Sequence, residues 1–133
     1  MKALIYMLAI CTIVFFTACE TESILKAELK GKWIEATEGK DTIDFQSNDS
    51  IGVFTLSRGL ELRNGDLLPR YGSGIYDYKL KKDTIRLNNM LWNCICFPAY
   101  YFHTNSTYDK IEIGNFFNNE LSASSKITFC KLK

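Results

Sequence analysis

Three cysteines and one histidine are the residues of this sequence whose spacing could support metal or thiol chemistry. Cys94, Cys96, Cys130 and His103 together have the composition of a Cys₃His zinc site. Structural zinc sites, however, place two or more residues between paired cysteines, and a one-residue spacing on an extended segment presents two thiolates poorly. We therefore predict no metal site and no cofactor.

The same thiols have two further possible fates. In an oxidising compartment, either Cys94 or Cys96 can form a disulfide with Cys130, which lies on the last predicted strand. Cys94 and Cys96 would bond to each other only with strain, because alternate residues of one strand project from the same face. The alternative is that the thiols are reduced and buried, where they act as small hydrophobic side chains.

The sequence contains no motif of a known catalytic site. It lacks Gly-x-Ser-x-Gly, His-Glu-x-x-His and a phosphate-binding glycine loop, and His103 is its only histidine. Its 16 basic and 15 acidic residues are balanced, and no basic cluster extends beyond Lys79, Lys81 and Lys82. We therefore predict a protein without catalytic residues that does not bind nucleic acid.

Residues 1–18 have the pattern of a secretory signal peptide. Lys2 precedes an apolar run, 3–16, in which Thr12 is the one polar residue. As a helix, residues 3–18 would span about 24 Å, which is shorter than the roughly 30 Å hydrocarbon core of a bilayer. The alternative, an uncleaved transmembrane anchor, is less consistent with that length.

The exit of this leader, Phe16-Thr17-Ala18-Cys19, resembles the lipobox of bacterial lipoproteins. The resemblance implies that Cys19 becomes the first residue of the mature chain and carries acyl chains such as palmitate. Two or three acyl chains hold a protein durably at a membrane surface without a spanning segment.

The sequence is thus divided into a signal peptide (1–18), a lipidated cysteine with a tether and short helix (19–30), and one domain (31–133). Glu20 and Glu22 resemble the acidic export signals of some Gram-negative lipoproteins, although a solvated tether is an equal alternative. We expect a monomer in the bacterial cell envelope, anchored to a membrane, with the outer membrane as the expected site.

Hydrophobic residues alternate with polar ones through most of the domain, which is typical of strands. A short helical spacing at 23–30 comes before them. Eight short strands predict an all-β domain, either an antiparallel barrel or a sandwich. The predicted strands are 32–36, 41–46, 51–57, 74–81, 84–87, 100–104, 110–116 and 126–132.

Gly31-Lys32-Trp33, at the start of the first strand, is similar to the Gly-x-Trp signature of lipocalins. Three later segments look like those of the lipocalin-like domain lipoproteins of Gram-negative bacteria: Tyr76-Asp77-Tyr78 with Asp83-Thr84-Ile85, Ile113-Gly114-Asn115-Phe116, and Ile127-Thr128-Phe129. This resemblance implies an eight-stranded antiparallel up-and-down barrel with Gly31 and Trp33 at its base. It also places Lys126 where lipocalins carry an arginine over the tryptophan.

An eight-stranded barrel is just wide enough to be filled by side chains or to hold one small ligand. Residues 19–133 contain two Trp, seven Phe and six Tyr. Because protein interiors pack to the density of organic crystals, we expect these rings to fill the interior.

Two segments are candidates for a binding rim. The long connection 58–73 is rich in turn residues, and its Asn64-Gly65 pair predicts a small hairpin of 60–63 with 66–68. The stretch 90–102 is strongly apolar, and Pro98 prevents it from forming one central strand. It therefore either folds into the core or forms, in part, an exposed apolar rim. The candidate rim residues are Leu60, Leu67, Leu68, Tyr71, Trp92 and Phe97.

These features predict a lipid-anchored, non-catalytic protein that binds a small apolar ligand or serves a structural role in the envelope. The alternative is an interaction or inhibitor module that recognises another envelope protein through its loop rim. A connected apolar cavity favours the ligand, whereas a filled barrel with exposed leucines favours a protein partner.

Overall fold

The computed structural model describes residues 24–47, 52–91, 93, 96–117 and 125–133. In these ranges one short helix, α1 (24–29), precedes ten strands. The strands are β1 (Gly31–Glu35), β2 (Thr42–Ser47), β3 (Gly52–Ser57), β4 (Leu60–Arg63), β5 (Asp66–Pro69), β6 (Gly74–Lys81), β7 (Thr84–Asn89), β8 (Ala99–Thr104), β9 (Lys110–Gly114) and β10 (Lys126–Lys131).

Eight of the strands form a closed antiparallel barrel in the order β1-β2-β3-β6-β7-β8-β9-β10. The barrel closes because β1 pairs with both β2 and β10, with Trp33 opposite Ile43 on one side and Lys131 on the other. The predicted eight-stranded up-and-down barrel with a short preceding helix is therefore confirmed, and the sandwich is excluded.

The remaining two strands form the small hairpin predicted from Asn64-Gly65. β4 and β5 pair only with each other within the described part of the chain. Asn64 (φ 53°) and Gly65 (φ 90°) both adopt the left-handed conformation that a type I′ turn requires. β3 and β6 pair directly, with Leu56 opposite Gly74, so the hairpin is an insertion outside the barrel wall.

The interior of the barrel is filled by large side chains. Alternate residues of each barrel strand point inward, and the aromatic rings contact one another. The ring centroids of Phe45 and Phe54 are 5.2 Å apart, and the Phe54 ring stacks on the Tyr76 ring with a centroid distance of 5.1 Å. The packing confirms the expectation of a filled interior. The largest fully buried side chains are Trp33, Phe45, Phe54, Tyr78, Phe102, Phe129, Leu29, Ile43, Leu56, Ile85, Ile111 and Ile113.

Gly52 allows one of these rings to lie directly on the barrel wall. It stands opposite Tyr78 in the register of β3 and β6. A Cβ atom at position 52 would lie 2.4 Å from Cζ of Tyr78, far inside van der Waals contact. Any larger residue at this position would therefore displace the Tyr78 ring from the core.

The two ends of the barrel differ. We call the end covered by α1 the helix end; it also carries the β6–β7 turn at 82–83 and the β8–β9 turn at 105–109. The opposite end, which we call the loop end, carries the β1–β2 turn at 36–41, the β4–β5 hairpin and the connection from β7 to β8. The short connections at the helix end leave the longer segments together at the loop end.

Trp33 is buried at the helix end, where it ties α1 to the barrel. Its indole Nε1 donates a hydrogen bond to the Leu29 carbonyl oxygen at 2.7 Å. Lys131 lies over its ring at 5.4 Å from the centroid, and the Lys131 ammonium donates to the Glu28 carbonyl oxygen. The cation next to the tryptophan is therefore Lys131.

The placement of Lys126 over the tryptophan was wrong. Lys126 begins β10 at the loop end and lies 3.8 Å over the ring of Tyr101. Because β10 runs from the loop end to the helix end, its last residue reaches Trp33 and its first does not.

Alkaline pH should destabilise the barrel through Tyr78. Burial raises the pKa of Tyr78 to about 12 from its ordinary value near 10, because the phenolate would lose its hydration. The folded protein therefore retains a proton that the unfolded chain releases. The stabilising effect is complete below pH 10 and is lost as the pH rises towards 12, by about 3 kcal/mol.

Urea unfolding followed by circular dichroism between pH 9 and 12 measures this loss. In Tyr78→Phe, which keeps the buried ring, the pH dependence should be weaker than in the parent chain. Burial also raises the pKa of Tyr76, so some slope should remain. An unchanged slope in Tyr78→Phe would show that Tyr78 does not titrate in this way.

Candidate functional site

The β4–β5 hairpin presents an exposed apolar surface at the loop end. Leu60 and Leu62 lie on one face of β4, and Leu67, opposite Leu62 in the register, joins them from β5. Their side chains are 62%, 71% and 68% exposed. We call these three residues the leucine face. Three leucines this exposed in one cluster make this surface a candidate binding site, since exposed apolar groups normally occur singly.

A groove runs between the hairpin and the barrel wall. Its volume is about 640 Å³, which is within the range of small-molecule sites. Leu60, Leu68 and Pro69 line it from the hairpin side, and Leu56 and Leu91 line it from the barrel side. The groove is therefore mainly apolar, and it lies outside the filled interior.

The charged residues that line the groove are arginines. Arg63 is paired with Glu61 at 3.0 Å and donates a hydrogen bond to the Pro69 carbonyl oxygen at 2.7 Å. Arg70 is half-buried, and its guanidinium forms no hydrogen bond or ion pair with the residues that the structure describes. A ligand in the groove could therefore place an acidic group on Arg70 without breaking an existing ion pair.

Arg58 fixes the base of the hairpin to the barrel. Its Nε atom lies 3.0 Å from Oδ2 of Asp41, a buried residue next to the start of β2. Its NH1 group donates a hydrogen bond to the Tyr71 carbonyl oxygen at 2.7 Å, and the guanidinium lies 4.3 Å over the ring of Phe117. One side chain thus joins the β1–β2 turn, the hairpin segment and the chain after β9.

A second, polar cleft lies beside this arginine. It has a volume of about 350 Å³ and includes Glu35, Lys40, Asp41, Arg58 and Arg70. The Glu35 carboxylate accepts hydrogen bonds from the backbone N–H groups of 37–39, which closes the β1–β2 turn. Arg70 lines both this cleft and the apolar groove.

The structure brings together only some of the predicted rim residues. Leu60, Leu68 and Tyr71 line the groove, and Leu67 belongs to the leucine face. Phe97 lies elsewhere, beneath the Lys79 ammonium at 4.6 Å. Trp92 lies outside the described residues.

The apolar stretch 90–102 is mostly at the surface in its described part. Met90 and Leu91 are exposed, whereas Phe102 is fully buried on β8. β8 begins directly after Pro98, which agrees with the expectation that proline interrupts this segment. Burial of the whole stretch in the core was therefore wrong, while Leu91 does contribute to the groove.

The predicted disulfide between Cys130 and either Cys94 or Cys96 is not formed, because the Cys130 thiol is free. Cys130 is a free, half-buried thiol, whereas Cys96 is disulfide-bonded. The reduced state is thus correct for Cys130 and wrong for Cys96. Cys19 and Cys94 lie outside the described residues. His103 is an exposed residue on β8, and no group of three or more potential metal ligands occurs among the residues that the structure describes.

Several residues of this site escaped the sequence analysis. Leu62 lies two residues after Leu60 on the predicted hairpin, so the two side chains share a face, and Leu62 could have been identified from that spacing. Asp41, Arg58 and Arg70 carried no local signal, because the contacts and clefts that involve them join segments distant in sequence.

Comparison of the chain with protein-family models, with curated proteins and with solved structures finds no match. Within the described ranges, no helix has both the length and the apolar character needed to cross a bilayer.

Proposed function

We propose that this chain is a lipid-anchored, non-catalytic interaction module of the bacterial cell envelope, which recognises a partner protein through the β4–β5 hairpin. The observation that carries the proposal is the leucine face, Leu60, Leu62 and Leu67, held at the loop end on a hairpin outside the barrel. The filled interior also favours recognition by the outer surface over capture inside the barrel.

The hairpin suits recognition of a partner for two reasons. β4 and β5 have no further strand partner in the described chain, so each has an outer edge available to an extended segment of another protein. The leucines next to these edges supply the apolar contacts that give an interface its affinity. The Arg58 contacts with Asp41 and Tyr71 hold the hairpin in place before binding.

The envelope location rests on the leader and on the resemblance of Phe16-Thr17-Ala18-Cys19 to a lipobox. Labelled palmitate should be incorporated into the chain in its host and should be absent from Cys19→Ser. Incorporation that does not depend on Cys19 would contradict the anchoring. This test is independent of the hairpin.

Substitution of the leucine face should abolish partner binding while the barrel stays intact. A photo-crosslinking amino acid at position 66, next to the leucine face, in the chain expressed in its host, should give one discrete protein adduct. In Leu62→Ser/Leu67→Ser the adduct should fall at least about tenfold, because each leucine buried at an interface contributes about 2 kcal/mol. The barrel should melt at nearly the same temperature.

The matched control is Leu132→Ser, which removes an exposed leucine near the opposite end. It should leave the adduct unchanged. A ladder of unrelated adducts, or an adduct that persists in the double variant, would contradict recognition through the hairpin.

A small apolar ligand is the second candidate, and the groove supports it. The groove has a volume of about 640 Å³, is lined by Leu60, Leu68 and Leu91, and has Arg70 at its side. It therefore suits an apolar molecule with an acidic group. Native mass spectrometry of the protein purified from its host distinguishes the two candidates. A retained small molecule that is lost in Arg70→Gln would favour the ligand.

A further inference from the structure

The helix end of the barrel collects lysines from segments that are far apart in sequence. They come from α1 and the residues that follow it, the β6–β7 turn, the start of β9 and the end of the chain. We call this set the lysine end. Its members are Lys26, Lys30, Lys32, Lys81, Lys82, Lys110, Lys131 and Lys133.

Fewer carboxylates than lysines lie at this end. The same segments contribute Glu28, Asp83 and Asp109, Asp44 stands opposite Lys32 in the register, and Glu112 is paired with Lys110 at 3.9 Å. The described helix end therefore carries eight lysines against five acidic side chains. Lys81 and Lys82 are exposed and form no ion pair with the part of the chain that the structure describes, whereas Lys133, also exposed, is attracted to the Asp109 carboxylate without forming an ion pair. These charges are therefore available to an external anionic partner.

The loop end does not share this excess. Its described residues include five basic ones, Lys40, Arg58, Arg63, Arg70 and Lys126, and five acidic ones, Glu35, Glu38, Asp41, Glu61 and Asp66. The whole sequence has a formal net charge of only +1. The positive charge is thus concentrated at one end of a nearly neutral protein, which is the arrangement expected of an orienting surface.

The described part of the chain starts at this same end, so residues 19–23 connect to the barrel here. α1 starts at Ile24, five residues after Cys19, and five residues span at most about 17 Å. Acyl chains on Cys19 would therefore hold the helix end close to the lipid headgroups. Ile24 itself is exposed, which adds an apolar contact among the lysines.

We propose that the lysine end lies against the membrane leaflet that holds the Cys19 acyl chains and binds its anionic headgroups, so that the leucine face is directed away from the membrane. The proposal rests on the lipid anchoring proposed above. A leaflet with negative surface potential attracts each nearby lysine, and several lysines together are enough to fix an orientation. The barrel then separates the partner-binding hairpin from the lipid surface.

The test uses the mature protein purified from its host and reconstituted in lipid nanodiscs that contain phosphatidylglycerol or phosphatidylcholine alone. A paramagnetic chelate on the headgroups broadens the NMR signals of nearby amides. We expect strong broadening at Lys82 and Lys133 and little at Leu67 in the anionic nanodiscs. The difference should decrease in about 1 M salt, where charges are screened within about 3 Å, to the level that the Cys19 tether alone produces.

Charge reversal should remove the orientation. Lys81→Glu/Lys133→Glu changes exposed side chains, and it should lower the equilibrium constant for the oriented state about tenfold or more. The matched control, Lys40→Glu/Lys126→Glu, makes the same charge change at the loop end and should leave the broadening intact.

Equal broadening at both ends, or the same pattern in phosphatidylcholine alone, would overturn the proposal. So would an equal effect of the two double variants. The mass of the purified chain reports separately whether Cys19 is acylated. If it is not, the anchoring fails, and the same chain added to the nanodiscs from solution still tests the lysine end.

Discussion

Replacing Trp33 with alanine is expected to lower the free energy of unfolding by about 3–5 kcal/mol. Trp33 is fully buried and contacts Phe45 edge to face at 6.3 Å, so its removal leaves a large cavity beneath α1. The Leu29 carbonyl oxygen also loses the hydrogen bond from the indole Nε1. Urea denaturation followed by circular dichroism measures the loss.

Trp33→Phe separates the two contributions. It keeps an aromatic ring in the barrel and removes the Nε1 donor, so it should be clearly less destabilising than the alanine variant. Amide hydrogen exchange in α1 should increase in both variants, because both release Leu29. An alanine variant that loses less than about 1 kcal/mol would show that the helix end collapses around the missing ring.

Arg58→Met is expected to destabilise the protein by about 3–5 kcal/mol and to loosen the hairpin. The side chains of Arg58 and Asp41 are only 18% and 11% exposed, so removal of the arginine leaves a largely buried carboxylate without its partner. The Tyr71 carbonyl oxygen loses its hydrogen bond as well. Hydrogen exchange should therefore become faster in β4 and β5 than in the barrel strands.

Arg63→Met is the matched control. Arg63 pairs with Glu61, and the two side chains are 47% and 35% exposed, respectively. Surface ion pairs of this kind contribute at most about 1 kcal/mol. Asp41→Asn combined with Arg58→Met should restore part of the lost stability, because it removes the unpaired charge. If both arginine variants lost the same free energy, the anchoring role of Arg58 would be refuted.

The barrel could be predicted from the sequence because its signals are local. Alternation of apolar and polar residues in 74–81 and 110–116 gives both the strands and the residues that face inward. The Asn64-Gly65 pair likewise predicts the β4–β5 hairpin, since few other residue pairs adopt left-handed conformations at both positions. These features depend on neighbouring residues and require no knowledge of the tertiary fold.

The candidate site could be predicted only in part, because its geometry depends on contacts between distant segments. Leu60 and Leu68 were found from their apolar character on a turn-rich connection. The pairing of Asp41 with Arg58 joins residues 17 positions apart, and nothing in either local sequence specifies it. Composition also misplaced Met90 and Leu91, since an apolar run has the same sequence signature in a core as on a surface.

The direct pairing of β3 with β6 makes the hairpin separable from the scaffold. The chain leaves the barrel wall after Ser57 and re-enters it at Gly74, on the neighbouring strand. The intervening residues therefore close a loop and contribute no strand to the barrel. Within this segment the hairpin residues 60–69 can be exchanged, lengthened or randomised with little penalty to the fold, provided that Arg58 and its contact with Tyr71 are kept. The barrel is therefore a suitable scaffold onto which new recognition hairpins can be grafted.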